Sequence, residues 1–325
     1  MKDYSVAYID GETMKASEGD VNAFISAMTV EIDGAIRQLV RSVAIAEYGS
    51  GYGEIGQVAS TYASGNTFYL QNIDDVTNFE VGQSLVCTSG TTVTNALRSG
   101  AMVITAIDRG LGTITCSAGV VSSMAASEYL FVEGDRAAGA YTSQALPKIA
   151  GLNAWVPASM PSSTAFFGVD RSVDTRLGGL RKSYTGAPIE EAIIDGLAYA
   201  NREGAKVDHL FVNYAKFAEF EKALGSKVQY VDLKANAEVG FRGIVVNSGR
   251  GFVNVLPDQN CPSNIAFGLT LDEWKLYSLG KAIRMLDFDG LNILRSATAD
   301  SYEVRIGFYG NLGTAKPGFS IRLAL

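Results

Sequence analysis

Gly51, Gly53 and Gly56, within the stretch GSGYGEIG from Gly49 to Gly56, have the spacing of a GxGxxG phosphate-binding loop. Such a loop needs a strand before it and a helix after it, so that free amides at the helix N-terminus face the pyrophosphate. Here the order is reversed: a helical pattern runs into the glycines and a polar stretch, VASTYASGNT, leads away. The glycines therefore read as the turn that stops a helix. His209 is the only histidine, at the start of the apolar run HLFVN, with no serine or cysteine near it in a nucleophile motif. It reads as a partly buried structural residue. Cys87, Cys116 and Cys261 are an odd number at wide spacings with no CxxC, so neither a zinc centre of the usual kind nor a disulfide framework is expected. Cys87 and Cys116 fall inside β-type runs, where a thiol packs as a small hydrophobe. Asp74 and Asp75 sit in a polar turn, where carboxylates are solvated by default. The chain offers no catalytic, cofactor-binding or metal-binding set.

Positive charge is distributed more suggestively. Arg171, Arg176, Arg181 and Lys182 concentrate in FFGVDRSVDTRLGGLRK, and Arg37 and Arg41 lie one turn apart on a long helical segment. The chain as a whole carries a net charge of −7 with a pI near 4.9, which argues against sequence-independent nucleic-acid binding, since that requires a lysine and arginine surplus. In an acidic chain such arginines either belong to a solvated loop or pair with acids of another subunit.

These residues must be held by a recognisable set of elements. Asp20 to Tyr48 reads as one long amphipathic helix: Ile25, Met28, Ile32, Ile36, Leu39, Val43 and Ala46 recur at steps of three and four. Asp20 is the expected N-cap and Gly49 the expected left-handed residue after the end. From 64 to 135 the texture changes to short β-type runs separated by turns, with Asp108 to Gly112 as a hairpin loop, so an all-β module that closes into a barrel or sandwich is expected. Residues 136–187 are loop-rich, with a turn at Met160-Pro161-Ser162-Ser163. Pro188 then opens a helix at its first position, with Ile189, Ile193, Leu197 and Ala200 on one face and Gly204 after its end. HLFVN follows as a strand, and Asn213 caps a further helix whose Phe217, Phe220 and Leu224 face inward. The chain closes on two alternating strands. Tyr302, Val304, Ile306 and Phe308 share one side of the first; Phe319, Ile321, Leu323 and Leu325 share one side of the second. This closing pair is expected to bury its apolar side on the long helix. No apolar N-terminal core follows a basic start and no run of 18 apolar residues exists, so a cytosolic protein with no signal peptide or membrane span is expected.

The order of these pieces resembles the Hong Kong 97-type major capsid protein of tailed bacteriophages. The helix ending in GSGYGEIGQV is similar to that family's spine helix and glycine-rich turn. PIEEAIIDGLAYANREGAKVDHLFVNYAKFAEFEKALGSKVQYVD, GFRGIVVNS with VLPDQNCPSNIAFGLTLDEWKLYS, and SYEVRIGFYGNLGTAKPGFSIRLAL resemble its axial domain and closing sheet. The resemblance implies an α+β fold with 1–63 and 291–325 as a peripheral domain, 64–135 as an inserted β-barrel-like domain, and 136–290 as a connecting segment and axial domain. It implies a non-enzymatic coat protein without cofactors, which forms pentamers and hexamers of itself in an icosahedral shell. That shell would enclose a DNA genome without sequence-specific binding, join portal, scaffolding or decoration proteins, assemble in the bacterial cytoplasm and reside in the virion, with no membrane partner. Arg37, Arg41, Arg171, Arg176 and Arg181 are then the expected inter-subunit contacts. Family members carry an N-terminal arm and extended loop ahead of the spine helix, whereas only about 19 residues stand there in this sequence. The expectation is a chain that lacks both and assembles poorly. Two other readings stand beside this one: a nanocompartment (encapsulin-type) shell around cargo enzymes, and a carbohydrate-binding protein using Tyr62, Tyr69 and Tyr129 if they share a face.

Overall fold

The computed structural model describes residues 2–16, 21–62, 65–91, 95–117, 124–136, 146–161, 166–224, 230–233, 241–287, 290–291, 293–296 and 299–325. In chain order the elements are β1 (Lys2–Asp10), α1 (Gly11–Ala16), α2 (Val21–Tyr48), β2 (Glu54–Gln57), β3 (Thr67–Tyr69), β4 (Ser84–Thr88), β5 (Met102–Asp108), β6 (Thr113–Cys116) and β7 (Tyr129–Val132). They continue with α3 (Leu152–Trp155), β8 (Leu180–Ser183), α4 (Ile189–Arg202), β9 (His209–Val212), α5 (Tyr214–Leu224), β10 (Tyr230–Leu233), β11 (Phe241–Asn247) and β12 (Phe252–Pro257). The last are β13 (Ile265–Leu269), β14 (Trp274–Ser278), β15 (Arg284–Met285), β16 (Leu294–Arg295), β17 (Ser301–Thr314) and β18 (Ile321–Ala324).

The long helix forms as its periodicity predicts, because its apolar stripe has a sheet to cover. Leu39 and Val43 are buried, and Met28, Ile32, Ile36 and Ala46 pack beside them, against Ala7 and Ile9 of β1 and Val304, Ile306 and Phe308 of β17. Burial of such side chains contributes roughly 1.5–3 kcal/mol each, more than a helix of this length gains from propensity alone. Asp20 and the side chain of Ile25 lie outside the described residues. Past the helix the left-handed residues are Gly51 and Gly53, both at φ 90°, and not Gly49. The GxGxxG then enters strand β2 instead of a helix, so no helix N-terminus faces it.

Strand β17 is the spine of a five-stranded sheet: β1 runs antiparallel along one edge, while β14, β15 and β16 pair with it elsewhere. A six-stranded antiparallel sheet, ordered β2-β7-β4-β5-β6-β3, draws on residues 54 to 132 and closes on itself through a bridge between Val58 and Leu70. Its interior is apolar, with Phe68, Phe79, Leu85, Met102, Ile104, Ile114 and Leu130 buried. The hairpin at Asp108 forms because its carboxylate accepts from the amides of Gly110 (2.9 Å) and Leu111 (3.1 Å).

The seven-stranded mixed sheet is ordered β10-β11-β12-β9-β13-β18-β8. Helices α4 and α5 cover one face: Ile189, Ile193, Leu197, Ala200, Phe217 and Phe220 pack on Leu210, Val212, Val253, Val255, Ile321 and Leu323. Gly196 permits the close approach of α4, since a Cβ there would stand 2.6 Å from Leu323 Cδ2. Asn213 caps α5 by accepting from Ala215 N at 2.9 Å. Pro188 takes the N-cap of α4 and not its first turn, a one-residue difference that leaves the buried face unchanged. On the other face, Tyr48 at the end of α2 packs with Leu152, Phe267 and Leu269.

The closing strands separate, contrary to the expectation of a pair on the long helix. Strand β17 covers α2, but β18 lies between β13 and β8 in the seven-stranded sheet, where Ile321 and Leu323 meet α4. Both carry the same alternation, and alternation specifies a half-buried strand without naming the surface that buries it.

Candidate self-association surface

Because β1 and β17 turn Ala7, Ile9, Val304 and Ile306 toward α2, their alternate residues face away from it. Tyr4 and Tyr8 are 61% and 60% exposed on that outer face. Register places Tyr8 beside Glu303 and then Leu294, and Tyr4 beside Gly307 and then Arg284. Leu276, Tyr277 and Leu279 extend the exposed apolar character along β14 and past its end, and Val30 and Val40 are exposed on α2. Aromatic side chains are the groups that give protein interfaces most of their energy. An exposed row of this kind, beside a buried face of the same sheet, is a candidate interaction surface.

Behind that surface a buried ionic knot joins elements far apart in sequence. Lys148 Nζ contacts Asp3 Oδ1 at 2.9 Å and Asp135 Oδ1 at 2.8 Å, and Ser42 Oγ donates to Asp3 Oδ2 at 2.5 Å. Asp3 lies on β1, Ser42 on α2 and Asp135 just beyond β7, so one ammonium ties the helix, the five-stranded sheet and the closed β-module together. Burial works against the charged form of Lys148, but the carboxylates of Asp135 and Asp3 outweigh it and hold the group above the usual lysine range. Burial likewise raises Asp135 above the usual carboxyl range, with Lys148 opposing. Beside the knot lies a cleft of about 760 Å³ whose lining includes Arg37, Arg41, Glu54 and Glu80. Glu80 bridges Arg41 (2.5 Å) and Arg109 (3.2 Å), a second tie from α2 to the β-module. None of this was readable from spacing: Lys148 lies 145 residues from Asp3.

The five arginines marked from sequence fall into three settings. Arg37 is exposed and lines the cleft with Arg41. Arg176 pairs with Asp174 at 3.1 Å on the surface, and that carboxylate holds it above the usual arginine range. Arg171 and Arg181 are half-buried and donate to backbone carbonyls: Arg171 to Ala154 and Trp155, Arg181 to Gly178 and Gly179. Sequence reasoning passed over Arg322, which register sets directly opposite Arg181.

The other residues that drew attention for their chemistry have structural surroundings. His209 is half-buried, with Nδ1 3.0 Å from Asp208 Oδ1, and its ring stacks on Phe211. All three cysteines are buried free thiols; burial pushes Cys87 up to about 12 and Cys116 up to about 11. Tyr62, Tyr69 and Tyr129 do not share a binding face: Tyr62 packs inside the β-module against Phe68, Tyr69 is exposed on β3, and Tyr129 lies on β7 across the sheet order. Asp74 accepts from Ser263 Oγ, joining the β-module to the loop before β13.

Asp75 is not a solvated carboxylate. It is half-buried, and burial pushes it up to about 6. A carboxyl raised in the folded state contributes stability that is present below its unfolded value of about 3.8 and is lost as pH rises through about 6. Asp75→Asn, which removes the charge and keeps an acceptor for Asn72, is therefore expected to raise Tm by about 2–4 °C at pH 7.5 and to leave it unchanged at pH 4. Thermal melts at both pH values check this; a loss of stability at pH 7.5 would contradict it.

A family model described as SU10 major capsid protein matches residues 123–309, more than half of the chain. The chain belongs to this family. The matched span runs from ahead of β7 through six of the seven strands of the mixed sheet, all but β18, to the greater part of β17, so it includes Lys148 and the half-buried Arg171 and Arg181. As a member of the SU10 major capsid protein family the protein is a structural phage coat protein with a place in the virion capsid. Solved structures with some likeness to it include the cyanophage A-1(L) capsid asymmetric unit, at 14% identity and a TM-score of 0.39, covering 55% of this chain and 59% of that chain. Others are the satellite phage P4 procapsid including size determination (Sid) protein, at 10%, 0.37, 99% and 69%, and Mycobacterium phage Patience, at 12%, 0.24, 42% and 44%. The capsid protein thus spans about three-fifths of the cyanophage chain's length. No curated protein sequence matches it. Among the described residues no three His, Cys, Asp or Glu side chains are grouped to hold a metal ion, and no helix is long and apolar enough to cross a membrane.

Proposed function

We propose that this chain is a shell subunit of the Hong Kong 97 type, closing into pentamers and hexamers of itself that form an icosahedral shell around a phage DNA genome. The observation that carries the reading is the capsid-family match over residues 123–309, and the exposed Tyr4 and Tyr8 row backed by α2 supports it. In this reading α2 is the spine helix. Residues 1–63 with 291–325 form the peripheral domain, 64–135 the inserted β-barrel-like domain and 136–290 the axial part, with β18 reaching across that division into the seven-stranded sheet. The mechanism is geometric: identical wedge-shaped chains meet through repeated surfaces, and closure replaces chemistry. Arg37, Arg41, Arg171, Arg176 and Arg181 supply inter-subunit ion pairs. An excess of acids on the chain suits a container that holds a genome without gripping its phosphates. Portal, scaffolding or decoration proteins are the further partners, and assembly takes place in the host bacterial cytoplasm. No step of catalysis is assigned.

Negative-stain electron microscopy with mass photometry on the purified chain at rising concentration tests the reading. Rings of five and six copies, or closed shells, are the expected products. A chain that stays monomeric at every concentration, alone and with its phage's scaffolding protein, would overturn it.

A further inference from the structure

Three guanidinium groups converge where the seven-stranded sheet ends at edge strand β8. Arg181 on β8 and Arg322 on β18 are direct partners in a parallel pair, so both side chains project from the same face. It is the face that carries Phe267, the partner of Arg322 on β13, and not the face of Ile321 and Leu323 that packs on α4. Arg171 is anchored beside it by the carbonyls of Ala154 and Trp155 at the end of α3, with its guanidinium 3.9 Å over the Phe166 ring.

Like charges directly opposite each other on neighbouring strands are destabilising, and arginine is seldom buried without a counter-ion. Yet among the described residues none of the three has a carboxylate at ion-pair distance. The Nε of each is buried without a hydrogen-bond partner. Carbonyls hold Arg171 and Arg181 in place, but a neutral acceptor leaves the charge uncompensated. Burial, and after it the nearby Arg181 cation, disfavours the charged form of Arg171 and Arg322. Among the described residues nothing supplies the missing compensation.

We infer that Arg171, Arg181 and Arg322 form a receptor for one oxoanion group, filled by an Asp or Glu carboxylate of a second copy of this chain. The guanidinium fork matches a carboxylate in two parallel hydrogen bonds, which a lysine cannot do. A neighbouring copy is the fitting donor, because the chain carries 34 acidic against 27 basic residues, and all three arginines are half-buried, so part of each remains accessible. A genome phosphate would instead have to approach a surface of net charge −7. This inference rests on the self-association reading, and its test separates the two.

Thermal melts of the dilute, unassembled chain are run in glutarate, in inorganic phosphate and in chloride at matched ionic strength. Wild type is expected to gain about 2–4 °C in glutarate, saturably, and nothing beyond ionic strength in chloride. Arg322→Met, which removes a charge with no counter-ion or side-chain hydrogen bond among the described residues, is expected to melt higher than wild type without ligand, to lose the glutarate response and to assemble at least tenfold more weakly. Arg322→Lys keeps part of the response. Assembled particles are expected to ignore glutarate, since a neighbour's carboxylate already fills the site. Absence of a glutarate response in the free chain, or a response to phosphate alone, would overturn the receptor. Particles that respond as strongly as the free chain would overturn its occupant. If no concentration yields assemblies, the shell reading fails and the occupant with it, while the free-chain melts still decide whether the receptor exists.

Discussion

Lys148→Met is expected to cost about 3–5 kcal/mol of folding free energy and to lower Tm by roughly 4–7 °C, because it strands two carboxylates in a largely buried site. Lys148 and Asp3 are only 7% and 8% exposed, and the ammonium is the sole ion-pair partner of both Asp3 and Asp135 among the described residues. The loss of a partner, and not the worth of the pair, sets this magnitude. Neutralising all three groups together, as Lys148→Met with Asp3→Asn and Asp135→Asn, should therefore recover most of the loss. The pH dependence has a definite sign on the alkaline side. Lys148 is raised in the folded state above its ordinary 10.5, so its contribution is fully present below pH 10.5 and disappears as pH climbs through the higher folded value. Asp135, also raised, contributes in the opposite half of the scale: its share is present below 3.8 and is lost as pH rises through its folded value. Calorimetric melts of wild type and the single and triple variants at pH 7 and pH 11 check these expectations. A single variant as stable as wild type at pH 7 would remove the knot from the account of stability.

Tyr4→Ser combined with Tyr8→Ser is expected to leave the fold within about 0.5 kcal/mol of wild type and to abolish assembly at concentrations where wild type forms shells. Both side chains face away from α2 and contribute nothing to the cluster of Ala7, Ile9, Val304 and Phe308. A buried interface tyrosine is worth about 2 kcal/mol or more when truncated, roughly 30-fold in affinity, so the pair shifts each contact by up to about a thousandfold. In a closed shell every subunit repeats that loss. Mass photometry of the double variant beside wild type, with circular dichroism to confirm folding, is the decisive comparison. Shells appearing at the wild-type concentration would show that the outer face of the five-stranded sheet is not an assembly contact.

Local pattern made part of this legible. The stripe from Met28 to Ala46, the buried faces of α4 and α5, the Asn213 cap and the hairpin at Asp108 each depend on residues within a few turns of one another, and the structure follows them closely. Four of the five arginines are engaged within the chain, and whether any of them reaches a neighbouring subunit is decided by partners that no local pattern encodes. Asp75 shows the same limit: its turn is polar in sequence, but packing around it removes water and moves its titration.

The sequence by itself determined the secondary structure of most of the chain, the place of its turns, its acidic balance and the order of elements that marks a tailed-phage capsid protein. Only the tertiary structure decided that β17 and β18 part company, that Lys148 meets Asp3 and Asp135, and that Arg322 is brought opposite Arg181. Periodicity is a property of the backbone's own geometry and is written along a few consecutive residues. Which surface a half-buried strand covers, and which charge a buried charge meets, depend on contacts across scores of residues, where many pairings satisfy the same local pattern and packing selects one.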